Sequence, residues 1–300
     1  MKTIIYQSES PERLDKFLNL ELTDFSRSQI QKLIKEGFIL VNGQTTNNHY
    51  GLKQGDKIII RKTELEQEEK ILIEPEIIQE ADDYLIINKP AGLIVHPTEG
   101  LKEKTLTDYL KERYPEIAQV GDDPLRPGLV HRLDKDVSGL MILARNQKMF
   151  MHLKEQFQNR TIEKKYLALV HGQVLNDHDI INFPLKRSKL SGKMVSKPKG
   201  EAGKDSITEF DIKQRFVNYT FLDVNLKTGR SHQIRAHLQA YGHPLVGDKL
   251  YKNKKLKVKI ELNRIFLHSY YLSFTDLAGE IQTFEQPLPD QLNDILKKLT

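Results

Sequence analysis

Apolar residues recur at helical spacing twice near the start of the chain, as Leu14, Phe17 and Leu18 and then as Ile30, Leu33 and Ile34. That spacing puts each trio on one helix face. Ser10-Pro11-Glu12 predicts the start of the first helix, with Pro11 near the first helical position, and Ser26 predicts the start of the second. Two short strands follow, Phe38–Val41 and Lys57–Ile60, with turn residues at Asn42-Gly43 and Gly55-Asp56. From Thr63 to Lys70 the pattern lapses into Glu, Lys and Gln with little apolar content, which reads as a linker. The expected organisation is a small unit over 1–62, a linker over 63–72 and a large domain over 73–300. In the large domain, apolar runs predict strands at Tyr84–Asn88, Gly139–Ala144, Lys165–Val170, Ile207–Ile212 and Tyr219–Val224. Helices are predicted at Leu106–Tyr114, Lys148–Gln158, Ser231–Tyr241 and Asp290–Leu299. Strands and helices are interspersed without strict alternation. The expected class is α+β, a mixed and largely antiparallel sheet with flanking helices, preceded by a small α/β unit. No repeat at a fixed period is present.

Composition narrows the function classes. The 300 residues are 38% hydrophobic and 29% charged, as in an ordinary globular protein. No run approaches the roughly 18 apolar residues of a membrane span. The N-terminus lacks a signal-peptide pattern, so a cytoplasmic protein is expected. The absence of cysteine excludes disulfides, thiolate chemistry and cysteine-ligated metal centres. Net charge is +5, and its arrangement says more than its sum. Lys186 to Lys204 holds seven basic residues against Glu201 alone, and Lys249 to Lys259 holds six lysines and no acid. Either run by itself reads as a solvated loop; two of them favour a polyanionic partner.

Candidate chemistry is concentrated in Pro127-Gly128-Leu129-Val130-His131-Arg132-Leu133-Asp134-Lys135-Asp136-Val137-Ser138-Gly139-Leu140. It sets a charged cluster of His131, Arg132 and Asp134 ahead of an apolar strand, where side chains project from a rigid base. Asp134 could act as nucleophile or general base, or could simply cap a turn. Tyr166 could hold an aromatic ligand or could be a core residue beside Leu167 and Leu169. In Gly229-Arg230-Ser231-His232-Gln233-Ile234-Arg235, either Arg235 or Arg230 could accompany a carboxylate. His232 and His237 are five apart, on different helix faces, which argues against a shared metal. No phosphate-binding glycine loop or dinucleotide fingerprint is present.

These segments resemble a known family. Arg13-Leu14-Asp15-Lys16-Phe17-Leu18, Ser26–Ile34 and Val41-Asn42-Gly43 are similar to the S4 RNA-binding module over about residues 12–60. The resemblance implies an RNA face with Arg13, Arg27, Ser28 and Lys32. The His131–Asp134 segment resembles the signature of the RluA-type pseudouridine synthases. That implies a catalytic set of Asp134, Arg132, Tyr166 and Arg235, the arginine at 235 keeping the carboxylate ionised and oriented. Val137 stands where the signature commonly has Thr, and Ser231 replaces another Thr. Ile87–Leu93 with His96-Pro97, Gly242–Asp248 and Ile265–Ser269 are similar to the family's remaining blocks and read as structural support. The implied protein is a monomeric enzyme with no cofactor and no metal. Its RNA partner would be ribosomal RNA first and transfer RNA second, and Lys186, Arg187 and Arg230 would add RNA contacts. Two alternatives keep the residues but not the reaction: a non-catalytic RNA-binding or ribosome-assembly factor, and a nucleoside glycosidase. The latter needs a second placed carboxylate, for which Asp136 is the obvious neighbour.

Overall fold

The computed structural model describes residues 2–22, 25, 27–61, 73–98, 101, 103–188, 192–198, 200–252 and 260–299. The predicted linker at 63–72, Ser26, Lys189, Lys199 and the lysines from 254 to 259 lie outside these residues, as does the Ser28 side chain. The chain divides into two compact units, Met1–Leu72 with Thr98–Glu103 and Ile73–Pro97 with Lys104–Thr300.

The first unit runs β1 (Lys2–Ile5), β2 (Glu12–Arg13), α1 (Leu14–Glu21), α2 (Arg27–Lys35), β3 (Ile39–Val41), β4 (Gln44–Thr45), β5 (Gly51–Leu52) and β6 (Lys57–Ile60). β1, β6, β3 and β4 form an antiparallel sheet in that order. Leu14 and Leu18 of α1 and Ile30, Leu33 and Ile34 of α2 pack on Ile39, Val41, Ile58 and Ile60. Each such side chain contributes roughly 1.5–3 kcal/mol on burial. Asn42 (φ 53°) and Gly43 (φ 80°) turn β3 into β4, the left-handed pair that a two-residue hairpin requires. α1 starts at Leu14, later than Ser10–Glu12 predicts, because Glu12 and Arg13 pair with β5 instead. The Leu14 and Asp15 N–H groups then donate to the Tyr50 and Asn48 carbonyls at 2.9 and 3.4 Å. Backbone acceptors distant in sequence thereby satisfy a helix start that carries no side-chain cap.

The second unit contains β7 (Glu76–Glu80), β8 (Tyr84–Lys89), α3 (Leu106–Arg113), β9 (Ser138–Ala144), α4 (Gln147–Asn159), β10 (Glu163–His171), β11 (His178–Ile181), β12 (Leu185–Arg187), β13 (Met194–Ser196), β14 (Thr208–Arg215), β15 (Tyr219–Leu226), α5 (Gln233–Ala240), β16 (Leu267–Thr275), β17 (Ile281–Glu285) and α6 (Asp290–Leu299). Among the described residues nine strands form one sheet, ordered β11-β14-β15-β10-β16-β9-β8-β7, with β17 also on β16. Every pairing is antiparallel except β9 with β16. The fold is therefore the mixed, largely antiparallel α+β class that the pattern predicts. No helix of the described residues is long and apolar enough to cross a membrane.

β9 is buried along its whole length, and its side chains alternate between two cores. Leu140, Ile142 and Ala144 meet Met149, Phe150 and Leu153 of α4. Met141 and Leu143 join the core that includes Leu106, Leu110, Ile234 and Leu238 from α3 and α5. At Gly139 (φ 122°), a Cβ would lie 2.2 Å from the Ser269 carbonyl oxygen. Glycine alone permits β9 and β16 to run this close, which fixes where the preceding loop, 131–137, emerges.

Candidate active site

The 131–137 loop is pinned from beneath by a lysine. Lys89 is fully buried at the end of β8. Its Nζ donates to the carbonyls of Pro90, Leu93 and Lys135 at 2.8, 2.9 and 3.2 Å. Burial pushes its pKa down to about 7, with the Arg264 charge adding to the shift. The Gly92 N–H also donates to the Lys135 carbonyl, at 2.8 Å. Leu133 and Val137 are buried in the core on either side of Asp134. Val137 needs no hydroxyl partner, because the Ser138 hydroxyl is already engaged by His268 Nδ1 at 2.8 Å and Arg264 Nη2 at 2.5 Å.

Asp134 rises from this base with its side chain 18% exposed. Arg235, on the first turn of α5, donates from Nη1 to Asp134 Oδ2 at 2.8 Å. The rest of that guanidinium is clamped by Asp248, from Nε to Oδ2 at 2.6 Å and from Nη2 to Oδ1 at 3.0 Å. Asp248 is itself held by the N–H groups of Leu250 and Tyr251, and the Tyr251 ring lies 5.0 Å from the guanidinium carbon. Burial alone would lower the pKa of Arg235; bonds and charge from Asp248 and then Asp134 outweigh it and hold the pKa above its ordinary value. A permanent cation thus orients one oxygen of Asp134. The other, Oδ1, has His232 Nε2 at 3.8 Å. Burial lowers the His232 pKa, which favours a neutral imidazole there.

Of the two arginines that the sequence leaves open, Arg235 is the one that meets the carboxylate. Its helix begins at Gln233, two residues later than Ser231 predicts. The Gln233 side chain accepts from Thr228 Oγ1 and the Arg230 N–H at 2.8 and 3.0 Å, which binds up the turn ahead of the helix.

Tyr166, on β10, is 5% exposed. Burial pushes its phenol up to about 12; a Ser269 hydrogen bond opposes the shift and the Asp134 charge adds to it. Near neutral pH it is therefore a phenol. Arg132 does not bond Asp134. Its Nη1 meets His96 Nε2 at 3.0 Å, a contact that needs a neutral, accepting imidazole. Burial, with the Arg132 charge second, brings His96 down to about 4. His131 departs from the charged cluster expected from the sequence. Its Nε2 accepts from the Ile142 N–H at 3.0 Å, its ring stacks on Phe157, and burial brings its pKa down to about 3. It is a neutral prop for β9. His237 is buried between Thr208 and the Phe183 carbonyl, pointing away from the site of His232.

A cleft of about 540 Å³ opens over these groups, lined among others by Asp134, Arg132, Tyr166, His232 and Arg235. That volume suits a ligand the size of a nucleoside. The combination is an oriented, partly exposed carboxylate, a buried aromatic, and walls rich in arginine and lysine. It can bind an anionic ligand and present the carboxylate to it. Asp248, Tyr251 and Lys89 complete the arrangement and escape sequence reasoning as site residues. The one signal for Asp248 and Lys89 was their place in the blocks Gly242–Asp248 and Ile87–Leu93, and Tyr251 had none.

The expected RNA contacts fall in two places. Lys186, Arg187 and Arg230 line a second groove of about 470 Å³, which shares Gly229, Arg230 and Ser231 with the cleft. In the first unit, Lys32 is exposed, 3.8 Å from Glu36. Arg13 and Arg27 remain 37% and 48% exposed while both bond the fully buried Asp15.

Matches to known families identify an RNA-modifying enzyme that carries an RNA-binding module. The RNA pseudouridylate synthase family model matches residues 83–240 and the S4 domain model matches residues 12–58. The chain belongs to the RNA pseudouridine synthase family and is an isomerase of that class. It is 35% identical to the RNA pseudouridine synthase YlyB of Bacillus subtilis, over 98% of this chain and 96% of that one. Ribosomal large subunit pseudouridine synthase D of Neisseria meningitidis is 36% identical, over 96% of this chain and 78% of its own. Ribosomal large subunit pseudouridine synthase C of Haemophilus influenzae is 33% identical, over 98% and 94%. In fold, the second unit's class is shared with human RNA Pseudouridylate Synthase Domain Containing 1, at a TM-score of 0.59 and 24% identity, covering 76% of this chain and 95% of that one.

Proposed function

We propose that this protein converts uridine to pseudouridine in large-subunit ribosomal RNA, with Asp134 as the catalytic carboxylate. The observation that carries the assignment is the 2.8 Å contact from Arg235 to Asp134, backed by Asp248. It supports a carboxylate with one oxygen held by a cation and the other turned to the cleft. From that state Asp134 either attacks the sugar or takes a proton from it to leave a glycal. The bond from sugar to ring nitrogen breaks, the same base rejoins through carbon 5, and the proton that carbon 5 then loses is balanced by one gained at the freed ring nitrogen. Arg132 displaces the uridine from its stack, which costs a few kcal/mol, and Tyr166 packs against the extruded base. Residues 1–62 act as the RNA-binding module through Arg13, Arg27, Ser28 and Lys32, joined by a linker at 63–72 to a catalytic domain at 73–300. Lys186, Arg187 and Arg230 extend the RNA track beside the cleft. The protein works as a cytoplasmic monomer, and transfer RNA ranks second as substrate. The test is to map pseudouridines in ribosomal and transfer RNA from cells with the gene, without it, and with only the D134N form. Sites lost from large-subunit RNA in both the second and third strains are expected. Sites restored by D134N would remove Asp134 from the chemistry, and losses confined to transfer RNA would reassign the substrate.

A further inference from the structure

Lys164 lies two residues before Tyr166 on β10, with its side chain on the same buried face. It is 7% exposed, yet among the described residues it has no hydrogen bond or ion pair. Its Nζ lines the cleft, 4.7 Å from the centre of the Phe157 ring. On the opposite side it abuts the backbone at Gly229, where a Cβ would lie 3.6 Å from it. Lys89 shows how this fold treats a buried ammonium it uses structurally, with three carbonyl acceptors. Lys164 has only an aromatic face. The residue is largely buried, which brings its pKa down to about 8, and it lines the cleft with no acceptor of its own among the described residues. The missing partner is an anion. Asp134 is the one carboxylate among the residues lining the cleft, and it is taken by Arg235.

We infer that Lys164 is the phosphate-binding residue of the cleft, holding a backbone phosphodiester next to the target nucleotide while that nucleotide's base lies against Tyr166. Two residues along a strand separate the side chains by about 6.7 Å, within reach of a neighbouring link of the same RNA strand. The Phe157 ring keeps the ammonium aimed without neutralising it, and Gly229 leaves the opposite wall bare so that a phosphate can approach. This rests on the cleft being the RNA site proposed above, and the experiment separates the two.

The probes are an unmodified large-subunit RNA transcript, then a hairpin carrying one modified uridine with single methylphosphonate links on either side of it. K164M keeps the stem over Phe157 and removes the charge. Its KM is expected to rise about tenfold with kcat nearly unchanged, the loss of one charge-assisted bond. The slope of log KM against log salt falls by about 0.7, one phosphate contact to single-stranded RNA. K164R restores that slope. In the wild-type protein one neutral link weakens the hairpin by a similar factor, and that same link costs K164M nothing more. A fall in kcat with KM unchanged, an unaltered salt slope, or equal sensitivity of both proteins to every neutral link overturns the inference. Should K164M fail to fold, the wild-type scan decides, and no sensitive link beside the target overturns it. If the wild-type protein modifies neither probe, the function reading itself fails and takes this inference with it.

Discussion

The tetrapeptide Arg-Leu-Asp-Lys occurs twice in this chain, as Arg13-Leu14-Asp15-Lys16 and as Arg132-Leu133-Asp134-Lys135, and its two aspartates have opposite fates. Asp15 is fully buried and saturated: Arg13, Arg27 and Gln31 all donate to it. Burial alone would raise its pKa; those bonds outweigh it and hold the carboxyl well below the usual range. Asp134 keeps part of its surface and one loosely held oxygen, and the arginine before it reaches His96. In both copies the leucine is an anchor in an apolar core. Asp15 is structural because its acceptors are exhausted, whereas Asp134, proposed as the catalytic carboxylate, keeps one oxygen for the cleft.

The largest expected effect distinguishes the two copies directly. D134N should lower pseudouridine formation in vitro by at least about 10³-fold, with RNA affinity within about threefold, as for loss of an interaction made only in the transition state. D15N should leave kcat on a short substrate unchanged; equal kinetic losses in both variants would erase the distinction. Next comes D248N, which unclamps Arg235 without touching Asp134. A drop of about 10²-fold in kcat with KM held within about threefold is expected, together with a lower melting temperature. Loss of stability with kcat intact would make Asp248 a folding residue only.

D15N should then destabilise the protein by about 2 kcal/mol, the worth of a buried hydrogen bond to a charged group, and loosen Arg13 and Arg27 on the proposed RNA face. Chemical denaturation and RNA titration read the two effects separately. The smallest effect is its dependence on acid. The Asp15 pKa is depressed on folding from its ordinary value of 3.8, so as pH falls the unfolded chain takes up the proton first. The stability it contributes is complete above about pH 4 and is lost as pH falls towards the folded value. The gap between wild type and D15N should therefore narrow below pH 4. A constant gap would mean that packing of the substituted amide, and not charge, accounts for the difference.

Legibility followed burial. β8, β9 and β10 stood out because their apolar runs face a core on one side or both. β1, β7, β11 and β17 did not, since strands such as Glu76–Glu80 and Ile281–Glu285 are half exposed and carry no clean alternation. β16 escaped for another reason: Leu267–Thr275 mixes serines, tyrosines and a histidine whose partners come from other strands. The start of α1 was displaced because its acceptors, at Asn48 and Tyr50, are distant in sequence. In the site, resemblance pointed to Asp134 and Arg235, but nothing along the chain ties Arg235 to Asp248 or Lys89 to the Lys135 carbonyl.

The sequence alone determined the fold class, the family motifs and the buried leucine of each Arg-Leu-Asp-Lys copy, because apolar periodicity is local and additive. It could not say which aspartate would be saturated and which left open. That depends on what the rest of the chain brings to within 3 Å: two arginines and a glutamine around Asp15, one arginine shared with Asp248 beside Asp134. Hydrogen-bond acceptors are exhausted by neighbours in space, so only the tertiary structure could separate the two.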